Sequence, residues 1–125
     1  MDEMYFRNYA YLGDAVWELY IREKTIKLTG NAKELHKITT DRVKAEFQSK
    51  LLSLLETFLT EEEHELARRA RNLPVPVGRR SIQSEYRYAT AFETLIGWWY
   101  IHNNKRLEEM YILAEDFTKK IQQIQ

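Results

Sequence analysis

Tyr9-Ala10-Tyr11-Leu12-Gly13-Asp14-Ala15-Val16-Trp17-Glu18 is the stretch that decides the fold of this chain. On a helical wheel the region is apolar around nearly all of its circumference, which is typical of a central helix with neighbours on several sides. Asp14 lies at the edge of a narrow polar arc, where water should be scarce. A carboxylate in such a place needs a cation, a hydrogen-bond donor or a proton. The apolar positions are Tyr5, Tyr9, Leu12, Ala15, Val16 and Leu19 on one side, and Ala10, Trp17 and Ile21 on the other.

Length and composition indicate one globular domain over residues 1–125, with room for one sizeable core. Lys plus Arg and Asp plus Glu both total 19, so net charge indicates no particular partner. The absence of cysteine excludes disulfides and thiolate metal sites. No basic and apolar leader and no long apolar span is present, so we expect a cytoplasmic protein without a membrane segment.

The remaining pattern predicts an all-α fold with a second central helix, from about Gln83 to His102, that carries Glu93. The first helix should end near Lys27, and a short helix should cover 32–37. Cap residues for the third helix are expected among Thr39, Thr40 and Asp41. Its predicted inward positions are Val43, Phe47, Leu51, Leu54 and Phe58, with Lys44, Glu46, Gln48 and Glu56 outside. A capping box at Thr60 and Glu63 should start a fourth helix that ends near Asn72. The last helix should begin after Asn103 and bury Leu107, Met110, Ala114, Phe117, Ile121 and Ile124.

Asp14 and Glu93, on the two central helices, form the candidate metal site. Mg²⁺ takes oxygen ligands, keeps several waters and often binds through one or two carboxylates together with a substrate phosphate. An equally good interpretation on periodicity alone is that each carboxylate accepts hydrogen bonds from tyrosine hydroxyls or tryptophan indoles. Glu18 lies one turn beyond Asp14, and pairing with Arg22 explains it better than a role as ligand. The three histidines have polar neighbours and are interpreted as surface residues.

An arginine-rich stretch surrounds the Pro/Gly segment at 74–78. Arginine binds phosphate in a planar, bidentate geometry, so the stretch is a candidate arm for binding nucleic acid. The alternative is a solvated face that balances the acids at 61–65. The arginines proposed to bind RNA are Arg68, Arg69, Arg71, Arg79 and Arg80.

Two of these motifs resemble the ribonuclease III family. Leu12-Gly13-Asp14-Ala15-Val16 is similar to the core of the family signature, and Phe92-Glu93-Thr94-Leu95-Ile96-Gly97 resembles its second catalytic helix. The chain has about the length of one endonuclease domain, without room for a double-stranded RNA-binding domain. Arg68-Arg69-Ala70-Arg71-Asn72 and Trp17-Glu18 resemble the compact branch of the family, Mini-ribonuclease III.

This resemblance implies a helical homodimer that cuts double-stranded RNA with Mg²⁺ and leaves 5′-phosphate and 3′-hydroxyl ends. Asp14 and Glu93 match the two indispensable carboxylates, which would be both catalytic residues and metal ligands. Standard members carry further acids at the positions of Arg7, Ala10 and Thr90. One Mg²⁺ per active site is therefore the expectation here. The resemblance also implies a natural substrate, the 23S ribosomal RNA precursor.

Two other functions compete with this interpretation. One is a non-catalytic RNA-binding or scaffold member of the same fold, which would be expected to lose a catalytic acid. The other is an all-α nucleotide pyrophosphohydrolase, which needs two pairs of acids spaced by three residues on neighbouring helices. Glu62 and Glu65 give the first such pair, but no second pair follows. The resemblance, with both family acids present, therefore implies an endoribonuclease that depends on Mg²⁺.

Overall fold

The computed structural model describes the backbone of residues 3–78 and 83–124 and the side chains of 5–78 and 83–122, and every regular element in these ranges is helical. The predicted all-α class is confirmed. The predictions for Arg79, Arg80 and the Ile124 side chain lie outside the described residues. No described helix is both long and apolar enough to cross a membrane. The helices are α1 (Glu3–Thr25), α2 (Ala32–Val43), α3 (Ala45–Leu55), α4 (Glu61–Arg71), α5 (Gln83–His102) and α6 (Asn104–Ile124), with a 3₁₀ turn at Glu56–Phe58.

Helix α5 is the centre of the domain, as its sequence predicts. Helices α1, α3, α4 and α6 all pack against it, so apolar residues on most sides of α5 leave water. This burial is the main source of stability for such an arrangement. The last helix lies across α3 and α5 and buries Leu107, Met110, Ala114 and Ile121, four of its predicted seam residues. The buried residues of α5 are Ala89, Ala91, Phe92, Thr94, Leu95, Ile96, Gly97 and Trp99.

Helix α1 buries only one face within the single chain. Phe6, Trp17 and Ile21 enter the core, while Tyr5 and Leu19 remain 54% and 58% exposed. The prediction that neighbours cover α1 on several sides is therefore wrong for one copy of the chain. The physical reason is that the contacts of α1 with α5 and α2 bury one face, and no described helix covers the apolar side that carries Tyr5 and Leu19.

The boundary between the second and third helices differs from the prediction. Helix α2 continues through the predicted cap residues to Val43, and buried Thr39 lies inside it. The chain breaks instead at Lys44, whose extended backbone ends α2 and starts α3 without a side-chain cap. The short helix predicted for 32–37 is thus twelve residues long, because burial of Thr39 outweighs the tendency of threonine to lie at helix ends.

The inward face of α3 is also rotated from the predicted one. Leu54 and Phe58 are 37% and 47% exposed, whereas Leu52 and Leu55 are buried. Gln48, predicted to lie outside, is buried as well. Helix α3 packs against both α5 and α6, and the residues that face these two helices together are the ones that become buried.

The capping box at the start of α4 is confirmed and belongs to a larger polar network. Thr60 Oγ1 accepts from the Glu63 backbone N–H, and Glu63 Oε1 accepts from that of Thr60. Glu63 also accepts hydrogen bonds from the Trp99 indole at 2.8 Å and from the Arg106 guanidinium. Burial opposes ionisation of Glu63, but the Arg106, Thr60 and Trp99 hydrogen bonds outweigh it and hold its pKa below the usual range. The network joins α4, α5 and α6 through satisfied partners.

Candidate active site

Two glycines let α1 and α5 cross at backbone contact. A Cβ atom added to Gly13 would collide with the carbonyl group of Glu93, and one added to Gly97 would collide with that of Tyr9. Glycine is needed at both positions because of this approach, since the backbone conformation itself is ordinary and helical. The crossing places Asp14, the neighbour of Gly13, beside the side chain of Glu93.

The carboxyl groups of Asp14 and Glu93 lie within hydrogen-bonding reach of each other. Burial raises the pKa of Glu93 to about 9, and the hydrogen bond and charge of Asp14 add to the effect. The carboxylate of Asp14 at close range disfavours a second negative charge on Glu93, so a proton on Glu93 or a bound cation is favoured.

The prediction that Asp14 lies where water is scarce is wrong, because its side chain is exposed. The polar arc of α1 faces solvent, and Asp14 lies at the rim of the site. Glu93 carries the desolvation instead, because α5 is surrounded by other helices. The sequence also allowed tryptophan indoles to donate to the two carboxyls. Two of these indoles have other partners, since Trp17 Nε1 donates to the Arg42 carbonyl and Trp99 Nε1 to Glu63.

The carboxyl pair opens into a cleft of about 520 Å³ between α1, α3 and α5. Arg7, Ala10 and Thr90 line this cleft, so the positions at which standard ribonuclease III carries further acids face the same space. Among the described residues, the cleft therefore contains two carboxylates instead of a larger acidic cluster. The described residues that line it are Arg7, Ala10, Tyr11, Asp14, Val43, Lys44, Ala45, Gln48, Tyr86, Ala89, Thr90 and Glu93.

The donor set fits a hard divalent cation such as Mg²⁺. Among the side chains that the structure describes, 5–78 and 83–122, no group of three or more His, Asp or Glu could hold a metal ion. Two carboxylates suffice for Mg²⁺, which keeps waters and takes substrate phosphate oxygens as ligands. No Lys or Arg is among the described groups that set the pKa of Glu93. A divalent cation between Asp14 and Glu93 would compensate the charge that burial makes unfavourable.

Gln48 is a residue of the site that the sequence interpretation missed. It lies on α3, is 1% exposed and lines the cleft opposite the two acids. Its amide favours the ionised form of Glu93 and so lowers that pKa, against the larger effects of burial and Asp14. The signal in the sequence was its spacing from Leu51, Leu52 and Leu55, which shares the helical period of the buried face.

The structural alternatives predicted for Glu18 and for the histidines are confirmed. Glu18 Oε2 lies 3.2 Å from Arg22 Nη2, one helical turn away, on the exposed side of α1. All three histidines are exposed. His102 forms a hydrogen bond of 2.9 Å with the Tyr9 hydroxyl, but none of the three lines the carboxylate cleft.

The described members of the arginine-rich stretch each contact other parts of the chain. Arg68 pairs with Glu65 one turn earlier on α4. The Arg69 guanidinium lies 4.7 Å from the centroid of the Phe6 ring, and that of Arg71 lies 5.1 Å from the centroid of the Tyr88 ring. These arginines lie at the end of α4, where the Pro/Gly segment begins.

Arg87 of α5 holds this corner of the fold together. Its Nη1 atom donates to the carbonyl oxygens of Arg71 and Leu73, at 2.6 and 3.3 Å. Arg7 of α1 donates to the Pro74 carbonyl at 3.1 Å. The arginine-rich stretch is therefore tied to both central helices, beside the carboxylate cleft that Arg7 also lines.

Comparison with known proteins agrees with this geometry. Residues 7–104 match the model of the ribonuclease III domain. The Mini-ribonuclease 3 of Gloeobacter violaceus is 41% identical over 108 residues, which cover 86% of this chain and 80% of that protein. The Mini-ribonuclease 3 of Clostridium tetani is 41% identical over 110 residues, which cover 84% of this chain and 72% of that protein. A crystal structure of a Fusobacterium nucleatum protein superposes with a TM-score of 0.79 at 30% identity, covering 87% of this chain and 90% of the other.

Proposed function

Because the chain belongs to the ribonuclease III family and is an endoribonuclease of double-stranded RNA, we propose that Asp14 and Glu93 hold Mg²⁺ at the scissile phosphate. The observation that supports this proposal is the carboxyl pair itself. The contact at Gly13 and Gly97 forces two acids together in a cleft where no described cation compensates Glu93. The two carboxyls disfavour ionisation together, and a bound cation would stabilise their charged form.

The roles of the residues follow from their positions around the cleft. Asp14, at the exposed rim, meets the substrate side, and the half-buried Glu93 anchors the inner end of the site. When bound, Mg²⁺ supplies positive charge that stabilises the phosphate in the transition state and lowers the pKa of the attacking water. Cleavage on this plan leaves a 5′-phosphate and a 3′-hydroxyl. We assign the whole of residues 1–125 to this one catalytic domain.

Substrate affinity is assigned to the arginine-rich stretch. Its described members end α4 beside the cleft, so phosphates of a duplex in the cleft would lie within reach of this corner. Duplex RNA has a deep, narrow major groove that side chains cannot read, so recognition should follow A-form shape and the phosphate backbone. The residues assigned to phosphate binding are Arg68, Arg69, Arg71, Arg79 and Arg80.

The active form is proposed to be a homodimer, with one site for each strand of the duplex. A shallow apolar groove of about 340 Å³ lies on the uncovered side of α1, between it and the Tyr100 and Tyr111 side chains. Leu19, 58% exposed, lines this groove. A second copy of the chain is the occupant proposed, since the family forms homodimers and an uncovered apolar face of this kind favours association.

Leu19→Glu tests this dimer by placing a charge on the groove. Ile26→Glu is the matched control, because Ile26 is 64% exposed on another face of the molecule. Sedimentation should show a dimer for the wild type and the control and a monomer for Leu19→Glu. A monomeric wild type at micromolar concentration that still cuts both strands would contradict the proposal.

Three substrates separate the proposed activity from the alternatives. With Mg²⁺, a long RNA duplex should be cut, whereas single-stranded RNA and nucleoside triphosphates should not. Hydrolysis of the triphosphates alone would favour the pyrophosphohydrolase. That alternative is disfavoured on the structure side too, because Glu65 pairs with Arg68 and neither it nor Glu62 lines the cleft.

The natural substrate is proposed to be the 23S ribosomal RNA precursor. Incubation of the purified protein with this precursor, followed by mapping of the ends, should show paired cuts across one double-stranded stalk. Random cutting of the stalk at the rate of an unrelated duplex would contradict a specific role in its maturation.

A further inference from the structure

Gln48 is a polar side chain placed among the apolar residues of α3. It is 1% exposed, and the other buried residues of this helix are all hydrophobic. A leucine or methionine would fill the same volume without burying an amide. Burial of an amide is unfavourable unless hydrogen bonds replace those lost to water. Its presence there calls for a partner.

The nitrogen of this amide has no such partner among the described residues. Gln48 Nε2 forms no hydrogen bond with any described residue, and it is the only buried side-chain nitrogen within the described ranges in this condition. The side chain lines the cleft with Asp14 and Glu93. The amide already favours the ionised form of Glu93, although its geometry falls short of a full hydrogen bond. The unused donor thus faces the carboxylate that the proposed function assigns to the metal.

We propose that Gln48 is a positioning residue for Glu93, and that its Nε2 donates to the Glu93 carboxylate when that group serves as a metal ligand. This inference rests on the proposed function of Asp14 and Glu93. A carboxylate has lone pairs for both a cation and a hydrogen-bond donor. The hydrogen bond fixes the orientation in which the carboxylate binds the cation. Gln48 contributes no charge of its own, so it orients Glu93 without competing for the metal.

Gln48→Met tests the role, because methionine keeps the length and apolar packing of the side chain and removes the donor. Leu52→Met is the matched control, since Leu52 is fully buried on the same helix and does not line the cleft. The first measurement is the affinity of the RNA-free protein for Mn²⁺, detected by electron paramagnetic resonance. Thermal unfolding without metal is the second, and the Mg²⁺ concentration for half-maximal cleavage is the third.

For Gln48→Met, Mn²⁺ affinity should fall about 10- to 100-fold, as for the loss of other residues that orient metal ligands. The half-maximal Mg²⁺ concentration should rise to a similar extent, while KM for RNA at saturating Mg²⁺ stays unchanged. The metal-free melting temperature should not fall, because an unpaired buried amide has been removed. A merely structural role for Gln48 would lower stability and leave the metal affinity unchanged. Leu52→Met should keep the wild-type affinity.

Equal Mn²⁺ affinity in Gln48→Met and the wild type would overturn the role of Gln48 and leave the proposed function standing. A wild type that neither binds Mn²⁺ nor cuts duplex RNA would instead overturn the proposed function, and this inference with it. Gln48→Leu gives a second test if the methionine variant does not fold, because leucine also removes the donor and adds no charge. Its Mn²⁺ affinity should fall as in Gln48→Met. Wild-type affinity in this variant would contradict the positioning role.

Discussion

Without metal, Glu93→Gln should be more stable than the wild type, by a margin that grows as pH rises. This holds although the substitution removes a residue assigned to catalysis. The variant keeps the shape of the side chain and deletes the ionisable group. In the wild type, burial and the neighbouring Asp14 raise the pKa of Glu93 to about 9. The folded protein therefore holds a proton that the unfolded chain releases above its ordinary pKa near 4.5.

The sign and size of the effect follow from proton linkage. Between the two pKa values the folded state binds more protons, so the free energy of unfolding falls as pH rises. The limit is about 1.4 kcal/mol per pH unit for one full proton. Glu93 is only partly shielded from the water of the cleft, so we take about half of the limit. From pH 6 to pH 8 the loss is then about 1.4 kcal/mol, or about 5 °C in melting temperature for a domain of this size.

Scanning calorimetry in the presence of a chelator, at one protein concentration, measures this effect. The difference in melting temperature between Glu93→Gln and the wild type should grow by about 5 °C from pH 6 to pH 8. Every other ionisable group is present in both proteins, so its contribution cancels in the difference. Glu18→Gln, which removes an acid on the exposed side of α1, should show no such trend. If the melting-temperature difference between Glu93→Gln and the wild type stays constant from pH 6 to pH 8, the folded protein does not hold the proton on Glu93, and the account of the carboxyl pair is refuted.

Two further predictions concern the helix crossing and the arginine-rich stretch. Gly13→Ala should lower stability by several kcal/mol in denaturant unfolding, because its Cβ meets the Glu93 backbone, whereas Gly30→Ala should change it by under about 1 kcal/mol, since nothing lies within 4 Å of that position. The double variant Arg79→Ala, Arg80→Ala should weaken duplex binding and reduce the slope of log affinity against log salt by somewhat under one unit per lost phosphate contact. Single-turnover cleavage at saturating RNA should change much less.

Each of these predictions has a contradicting result. Equal stability of the two alanine variants would mean that α1 and α5 can separate without cost. An unchanged salt slope would mean that the arginine-rich stretch is only a solvated face. Lys33→Ala, which removes an exposed charge on α2, controls for the loss of positive charge in general.

The helical class and the pairing of the two acids could be predicted from the sequence, because both depend on strong local patterns. The capping box at Thr60 and Glu63 has a fixed spacing, and it forms as expected. The boundary at Lys44 could not be predicted, since no cap residue or glycine marks it and tertiary packing of Thr39 decides how far α2 extends. Local propensity is a weak guide where packing opposes it.

The environment of the two acids could not be assigned from a helical wheel alone. Periodicity shows how apolar each helix is, but not which of its sides another helix covers. The polar arc of helix α1 faces solvent, so Asp14 is exposed, and the desolvation lies with Glu93. Gln48 was missed for the same reason, because only the contact of α3 with two neighbours brings that polar residue inside.

The most direct test of the metal site is single-turnover cleavage of a long RNA duplex at saturating RNA and Mg²⁺. Wild type should cut the duplex only when Mg²⁺ is present. Asp14→Asn and Glu93→Gln should each abolish cleavage while binding the duplex about as well as the wild type, and Glu18→Gln should remain active because Glu18 is paired with Arg22 outside the cleft. Full activity of either Asp14→Asn or Glu93→Gln at saturating Mg²⁺ would contradict the assignment of the carboxyl pair as the catalytic metal site.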